Sequence, residues 1–164
     1  MRRLGAPSEN ILMCCANLAT TYKALGRFED ALRMRRDIYS GWLRLEEENH
    51  NTFREANNYA SSLMQLQHYA KARSLLRRTI PVARRVSGDD DVNTLRLRWN
   101  YARTLVALYE DADATLDDLR EAVTTFEDVA RISRRVLGGA HPTTTGIDTE
   151  LQLARAALRA HESS

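Results

Sequence analysis

Four histidines, two cysteines and a run of three aspartates are the residues that could hold a metal or supply a nucleophile and its base. His50, His68, His141 and His161 stand far apart, none at a metal-ligand spacing with a cysteine or a carboxylate cluster. Asp89, Asp90 and Asp91 are contiguous and lack the alternating ligands and closing glutamate of a calcium loop. They suit the start of a helix, whose dipole favours negative charge. Leu137-Gly138-Gly139 lacks the lysine and the spacing of a phosphate-binding loop. Cys14 and Cys15 sit in an apolar run with no evident base and read as small core residues. The expectation is a chain with no catalytic residues, no cofactor and no metal, hence not an enzyme.

Charge points away from two further classes. The 164 residues carry 24 Lys and Arg against 22 Asp and Glu, a net charge of +2. That is too small to imply nucleic acid or an anionic membrane as partner. Only Lys23 and Lys71 are lysines. The plain reading of this bias is a GC-rich coding sequence; the functional one is carboxylate recognition, because the guanidinium fork matches a carboxylate. Two adjacent cysteines with no other partner suit a reducing compartment. No 18-residue apolar stretch and no clean signal peptide stand in the sequence, so a cytoplasmic protein is expected.

The elements that would position any binding residue come from a repeat. Asn17, Ala19, Leu25, Phe28 and Ala31 recur 41 residues later as Asn58, Ala60, Leu66, Tyr69 and Ala72. Asn100, Ala102 and Leu108 follow Asn58, Ala60 and Leu66 by 42. Ala122 follows Ala72 by 50, so eight extra residues lie within Glu110–Asp118, a stretch with four aspartates and one glutamate. This insertion is expected to be an exposed acidic loop. Each unit carries two apolar stripes at helical spacing, such as Phe53, Ala56, Ala60, Leu63 and Leu66. Alanine recurs where paired helices would cross closely. The periodicity predicts helices over 8–25, 28–46, 51–66, 69–87, 92–109, 117–137 and 142–160. Pro142 suits a first helical turn, and Gly88 and Gly138 suit helix ends.

The pattern resembles the tetratricopeptide repeat, in the 42-residue variety of kinesin light chains. Asn17-Leu18-Ala19, Tyr22, Gly26, Phe28, Glu29 and Ala31 carry the opening of that repeat, and Arg135, Val136, Leu137, Gly138, His141, Pro142 and Thr144 its close. Gln67 replaces the turn glycine, and Arg35 stands where an aromatic is usual. The resemblance implies an all-α, right-handed α-solenoid of helix-turn-helix repeats with a C-terminal capping helix. The chain divides as a single repeat domain over 1–164: repeat 1 at about 8–48, repeat 2 at 49–90, repeat 3 at 91–140 and the cap at 141–160.

In such a stack the first helix of each pair lines a concave groove. The side opposite the apolar stripe carries Met13, Ala16, Asn17, Thr20 and Lys23 in repeat 1. It carries Arg54, Asn57, Asn58, Ser61 and Gln65 in repeat 2, and Arg96, Trp99, Asn100, Arg103 and Ala107 in repeat 3. Arg54, Arg96 and Arg103 are expected to form a basic strip. The recurrent asparagines either pair with an extended peptide backbone or bond between helices. The candidate peptide-binding set is therefore Asn17, Arg54, Asn57, Asn58, Ser61, Arg96, Trp99, Asn100 and Arg103. The resemblance implies an interaction module for an extended, acidic peptide.

The alternative is an assembly element that self-associates or ends a longer array. Ile11–Ala16 is apolar all round, so the N-terminal helix is expected to be covered, by a second copy or by preceding repeats. The last helix offers Leu151, Ala154 and Leu158 as its buried stripe, with Glu150, Arg155, Arg159 and Glu162 outward.

Overall fold

A computed structural model describes residues 8–45, 48–111 and 115–162. Seven helices follow one another: α1 (Glu9–Ala24), α2 (Phe28–Leu45), α3 (His50–Gln65), α4 (Tyr69–Ser87), α5 (Val92–Glu110), α6 (Leu116–Val136) and α7 (Pro142–Glu162). No strand occurs among the described residues. Each helix packs on its sequence neighbours; in addition α3 packs on α5, and α5 meets α7 sparsely. The protein is an all-α repeat solenoid of three helical hairpins and a final single helix.

Local chemistry sets the helix ends. Asn49 caps α3, its Oδ1 accepting from the Thr52 N–H at 2.9 Å. Asp91 closes the aspartate run by capping α5, its Oδ1 accepting from the N–H groups of Asn93 at 2.9 Å and Thr94 at 3.0 Å. These bonds satisfy donors that the first turn leaves orphaned. The first two hairpin turns need one left-handed residue each. Gly26 supplies it at φ +73°, and Gln67 adopts the same region at φ +59°. The bonding is equivalent: Arg27 N–H donates to the Tyr22 carbonyl, and His68 N–H to the Leu63 carbonyl. A glutamine fills a glycine position without changing the turn.

The crossing alanines are all buried: Ala19, Ala31, Ala60, Ala72, Ala102 and Ala122 are at most 2% exposed. A larger side chain there would have to push two helices apart. Gly41 serves the same end in the first hairpin, since a Cβ there would lie 2.6 Å from the Leu12 side chain. The buried residues divide into two clusters. The main core runs from Tyr39 through Phe53, Leu76, Leu97 and Phe126 to Ile147 and Ala154. Leu12, Ala19, Ile38 and Trp42 form a separate core inside the first hairpin. Burying each large side chain contributes about 1.5–3 kcal/mol relative to leaving it in water.

The duplicated Arg-Arg-Val-x-Gly phrase closes the base of its own hairpin onto the connection that precedes it. Arg85, at the end of α4, pairs with Glu48 before α3; Arg135, at the end of α6, pairs with Asp90 before α5. The same contact is thus made one repeat apart.

Three expectations are revised, the first at the cysteines: Cys14 is exposed and Cys15 only half-buried against the first-hairpin core, so they are not the small core residues expected. The insertion is not chiefly a loop. Relative to the second hairpin it lengthens the end of α5 by three residues and the start of α6 by three. Thr115 caps α6 in a reciprocal box with Asp118, whose carboxylate accepts from the Thr115 N–H at 2.8 Å. Residues 112–114 of that stretch lie outside the described residues. Glu150 does not face outward on α7; it points at α5.

Candidate functional site

The face shared by α1, α3, α5 and α7 carries three depressions in succession. The first, between α1 and α3, is lined by Met13, Ala16, Asn17, Thr20, Arg35, Arg54, Glu55 and Asn58. The second, between α3 and α5, is lined by Lys23, Ser61, Met64, Gln65, Gln67, Tyr69, Arg103 and Ala107. The third, between α5 and α7, is lined by Arg103, Val106, Ala107, Glu110, Phe126, Glu150, Leu153 and Ala154. Most residues expected to face the groove line the first two.

At the floor of the first depression stands Glu55, 1% exposed. Arg35 reaches it from α2, Nη1 donating to Oε2 at 2.9 Å, while Arg35 Nη2 donates to the Thr20 hydroxyl of α1 at 2.8 Å. Asn58 Nδ2 donates to Glu55 Oε1 at 3.2 Å, and Arg54 Nε lies 3.4 Å from the same oxygen. A buried carboxylate is tolerated because three donors converge on it. Sequence reasoning missed Glu55. Its signal was indirect: Arg35, in place of the usual aromatic, required a partner.

The asparagines separate into two kinds. Asn17 is exposed and Asn58 half-buried. Asn100 is buried, its Nδ2 donating to Asn57 Oδ1 at 2.8 Å and its Oδ1 accepting from Arg103 Nη1 at 3.2 Å. Asn57 and Asn100 are therefore spent on holding α3 against α5, in a bond between neighbouring repeats. Ser61 is half-buried in the second depression.

The expected basic strip is partly discharged. Arg103 pairs with Glu150 at 3.0 Å, and Arg54 leans on Glu55. Arg96 is exposed and lines neither of the first two depressions. Trp99 is half-buried, its ring against Gly146, where a Cβ would lie 3.1 Å from the indole. Its Nε1 donates to Glu150 Oε2 at 2.8 Å. Among the described residues no group of three or more His, Cys, Asp or Glu could hold a metal ion, and no helix is long and apolar enough to cross a membrane. Arg131 and then Arg98 keep the Asp128 carboxyl below the usual carboxylate range, against the opposing effect of burial. Tyr101 is pushed up to about 12 by burial and by its bond to Glu121.

Stacked hairpins with a lined face define a repeat-built binding scaffold. Models of the tetratricopeptide repeat match residues 11–51, 51–117 and 111–143, and the chain belongs to the tetratricopeptide-repeat family. No curated protein matches it. Among solved structures it is similar to a Podosopora anserina kinesin light chain with nearly identical repeats. There the TM-score is 0.76 at 20% identity, over 87% of this chain and 64% of that one. The chain thus spans under two thirds of that structure. It is also similar to PcrH of Pseudomonas aeruginosa in complex with the chaperone-binding region of PopD, with TM-score 0.62, 16% identity, and 98% and 99% coverage. BtubC from P. vanneervenii matches at TM-score 0.57 and 16% identity, over 97% and 68%. The family's repeats support a protein-interaction module on a fold known as a non-catalytic scaffold, and the neighbours share that fold.

Proposed function

We propose that the face of α1, α3, α5 and α7 receives an extended, acidic peptide segment of a protein partner. The carrying observation is the succession of depressions along that face, with Lys23, Arg54 and Arg103 spaced along them. Arg54 and Arg96 supply charge at equivalent positions of adjacent repeats, Asn17, Asn58 and Ser61 supply hydrogen bonds, and Asn57 and Asn100 set the spacing of the two central helices. The PcrH neighbour is in complex with the chaperone-binding region of PopD, which supports a segment of a protein partner as the ligand here. Each well-desolvated charge-assisted contact contributes about 1.5–3 kcal/mol. The chain acts as one repeat domain, with its free cysteines suited to a reducing cytoplasm. The test is selection of binders from a random peptide library. Acidic sequences are expected, with affinity lost in Arg54→Glu/Arg96→Glu while the helical signal is kept. Unchanged affinity in that variant moves the site off this face.

A second reading is favoured by the open side of the first hairpin. Ile11 is 56% exposed, whereas its repeat-2 counterpart Thr52 is 1% exposed beneath the preceding hairpin. Ile11, Cys15, Tyr22 and Met34 line a depression there. We infer that this end joins a second copy or a preceding repeat. Light scattering that shows a strict monomer at high concentration, unchanged by Ile11→Glu, excludes the second copy.

A further inference from the structure

Glu150 sits on α7, yet both of its carboxylate oxygens belong to groups on α5. Oε2 accepts from the Trp99 indole N–H at 2.8 Å, and Oε1 lies 3.0 Å from Arg103 Nε. The Arg103 guanidinium stands 5.8 Å from the Trp99 ring centroid, so the two donors converge as a unit. Asn100 steadies that unit from below, accepting from Arg103 Nη1 at 3.2 Å while bonded to Asn57. Gly146 leaves room for the edge of the indole to approach α7. An indole N–H and a guanidinium, both positioned by neighbours, present two aligned donors to one carboxylate.

The present occupant is loosely held. The side chains of Arg103 and Glu150 are 41% and 30% exposed, so solvent screens the pair. The buried residues of α7, Thr144, Ile147, Leu151 and Ala154, belong to a helix that packs chiefly on α6 and touches α5 sparsely. Beyond Glu150, α5 and α7 part around the third depression, with Leu153 66% exposed at its rim. A displaced Glu150 side chain has that space to enter. The site also opens on the groove, because Arg103 lines the second depression as well as the third.

We propose that Trp99 and Arg103 form a carboxylate-binding site, that Glu150 is its resident ligand in the free protein, and that an acidic side chain of the partner takes its place. The inference rests on the acidic-peptide reading of the groove and names a point on that face where a partly exposed carboxylate is already seated, in contrast to the buried Glu55. Glu150 acts as an internal competitor. It keeps the site neutral and pre-shaped, and it lowers affinity for any single passing acid.

The test uses fluorescein-labelled octaglutamate and, as control, octaglutamine, in anisotropy titrations at matched salt with the full chain. Removing the competitor in Glu150→Gln is expected to tighten octaglutamate roughly two- to fivefold, the value of a partly exposed ion pair. Arg103→Gln weakens it about tenfold, the loss of one charge-assisted contact. Arg103→Gln/Glu150→Gln shows no gain over Arg103→Gln, since the two residues act on one site. Octaglutamine is indifferent to all three. The charge-swapped Arg103→Glu/Glu150→Arg keeps a tie between α5 and α7 and loses octaglutamate, which separates carboxylate binding from a merely structural clasp. If octaglutamate binds the unaltered chain and Glu150→Gln equally, the displacement is wrong while the acidic groove stands. If it binds Arg103→Gln undiminished, the site lies elsewhere. If it binds neither the unaltered chain nor Glu150→Gln, the acidic-peptide reading itself falls. Should Glu150→Gln lose helical signal, Glu150→Asp, too short to span both donors, is expected to give a smaller gain, and no gain there overturns the proposal.

Discussion

The junction between the first and second hairpins and the junction between the second and third are built at the same register from opposite chemistry. At the first, Arg35 of α2 meets Glu55 of α3 in a nearly buried ion pair. At the second, the corresponding positions are Leu76 and Leu97; at the junction with α7 they are Phe126 and Ile147, and all four are at most 1% exposed. The polar junction is open: α1 does not pack on α3, and a depression separates them. The apolar junction is closed, with α3 packed on α5 and Asn57 bonded to Asn100. The core follows suit, dividing into a small cluster in the first hairpin and a large one beyond it. At these two junctions the spacing of the first helices follows that pair, whereas at the equally apolar junction with α7 the helices α5 and α7 still meet sparsely, so the pair is one determinant among others. A long guanidinium that must reach both Thr20 and Glu55 props two helices apart, where two aliphatic groups let them close.

The sharpest way to break this contrast is to remove one partner. Arg35→Leu leaves Glu55 buried without its main countercharge and should cost about 3–5 kcal/mol in urea unfolding. The double change Arg35→Leu/Glu55→Leu rebuilds the apolar junction. It should recover that loss or exceed the parent by about 1–4 kcal/mol, and native-state hydrogen exchange in α1 and α2 should slow toward that of the main core. No recovery in the double variant would show that the opening has another cause. Within the third hairpin, Ala102→Leu forces a side chain into a crossing of paired helices that has no room. A cost of about 1–3 kcal/mol is expected in the same unfolding measurement.

A smaller effect is expected at the tip of the third hairpin. Asp118→Asn removes the carboxylate that closes the capping box and should cost about 1 kcal/mol near neutral pH. The Thr115 backbone N–H, with the Thr115 hydroxyl, holds this carboxyl below its ordinary range against the opposing effect of burial. A depressed folded value stabilises above the unfolded one and is lost as pH falls, so the gap between parent and variant should shrink below about pH 4. The least effect concerns the second turn. Gln67→Gly relieves a left-handed glutamine and should raise stability by about 0.5–1 kcal/mol, whereas Gly26→Gln in the first turn should lower it by a similar amount.

Helix positions were legible in the sequence to within one or two residues because periodicity, caps and crossing alanines are local signals that agree. The groove face was legible for the same reason: a helix has one side left once its stripe is buried, and Asn17, Thr20, Arg54, Asn58 and Ser61 fall on it. What each polar group does there was not. Asn58 and Asn100 are equivalent in the repeat, yet Asn58 bonds to Glu55 on its own helix whereas Asn100 bonds across to Asn57, because α3 and α5 approach closely at the apolar junction between their hairpins. Glu55 reads as a surface residue until Arg35 is brought over it from another helix. Glu150 reads as solvent-facing because the pairing partner, Trp99, is 51 residues away. Tertiary polar contacts carry no periodicity, so a single sequence does not announce them.

The extra residues of the third hairpin enter as helix on both sides of the turn, three on each. At 1.5 Å per residue the hairpin grows by about 4.5 Å at its tip while its base stays seated. Growth at the tip is cantilevered. The added turn of α6 reaches back to the second hairpin through a loose ion pair, Asp118 lying 3.9 Å from Arg73, and the buried register of the stack below it is unchanged. An array of this kind can therefore acquire a protruding handle by in-frame expansion at one turn, without re-solving the packing of its trunk.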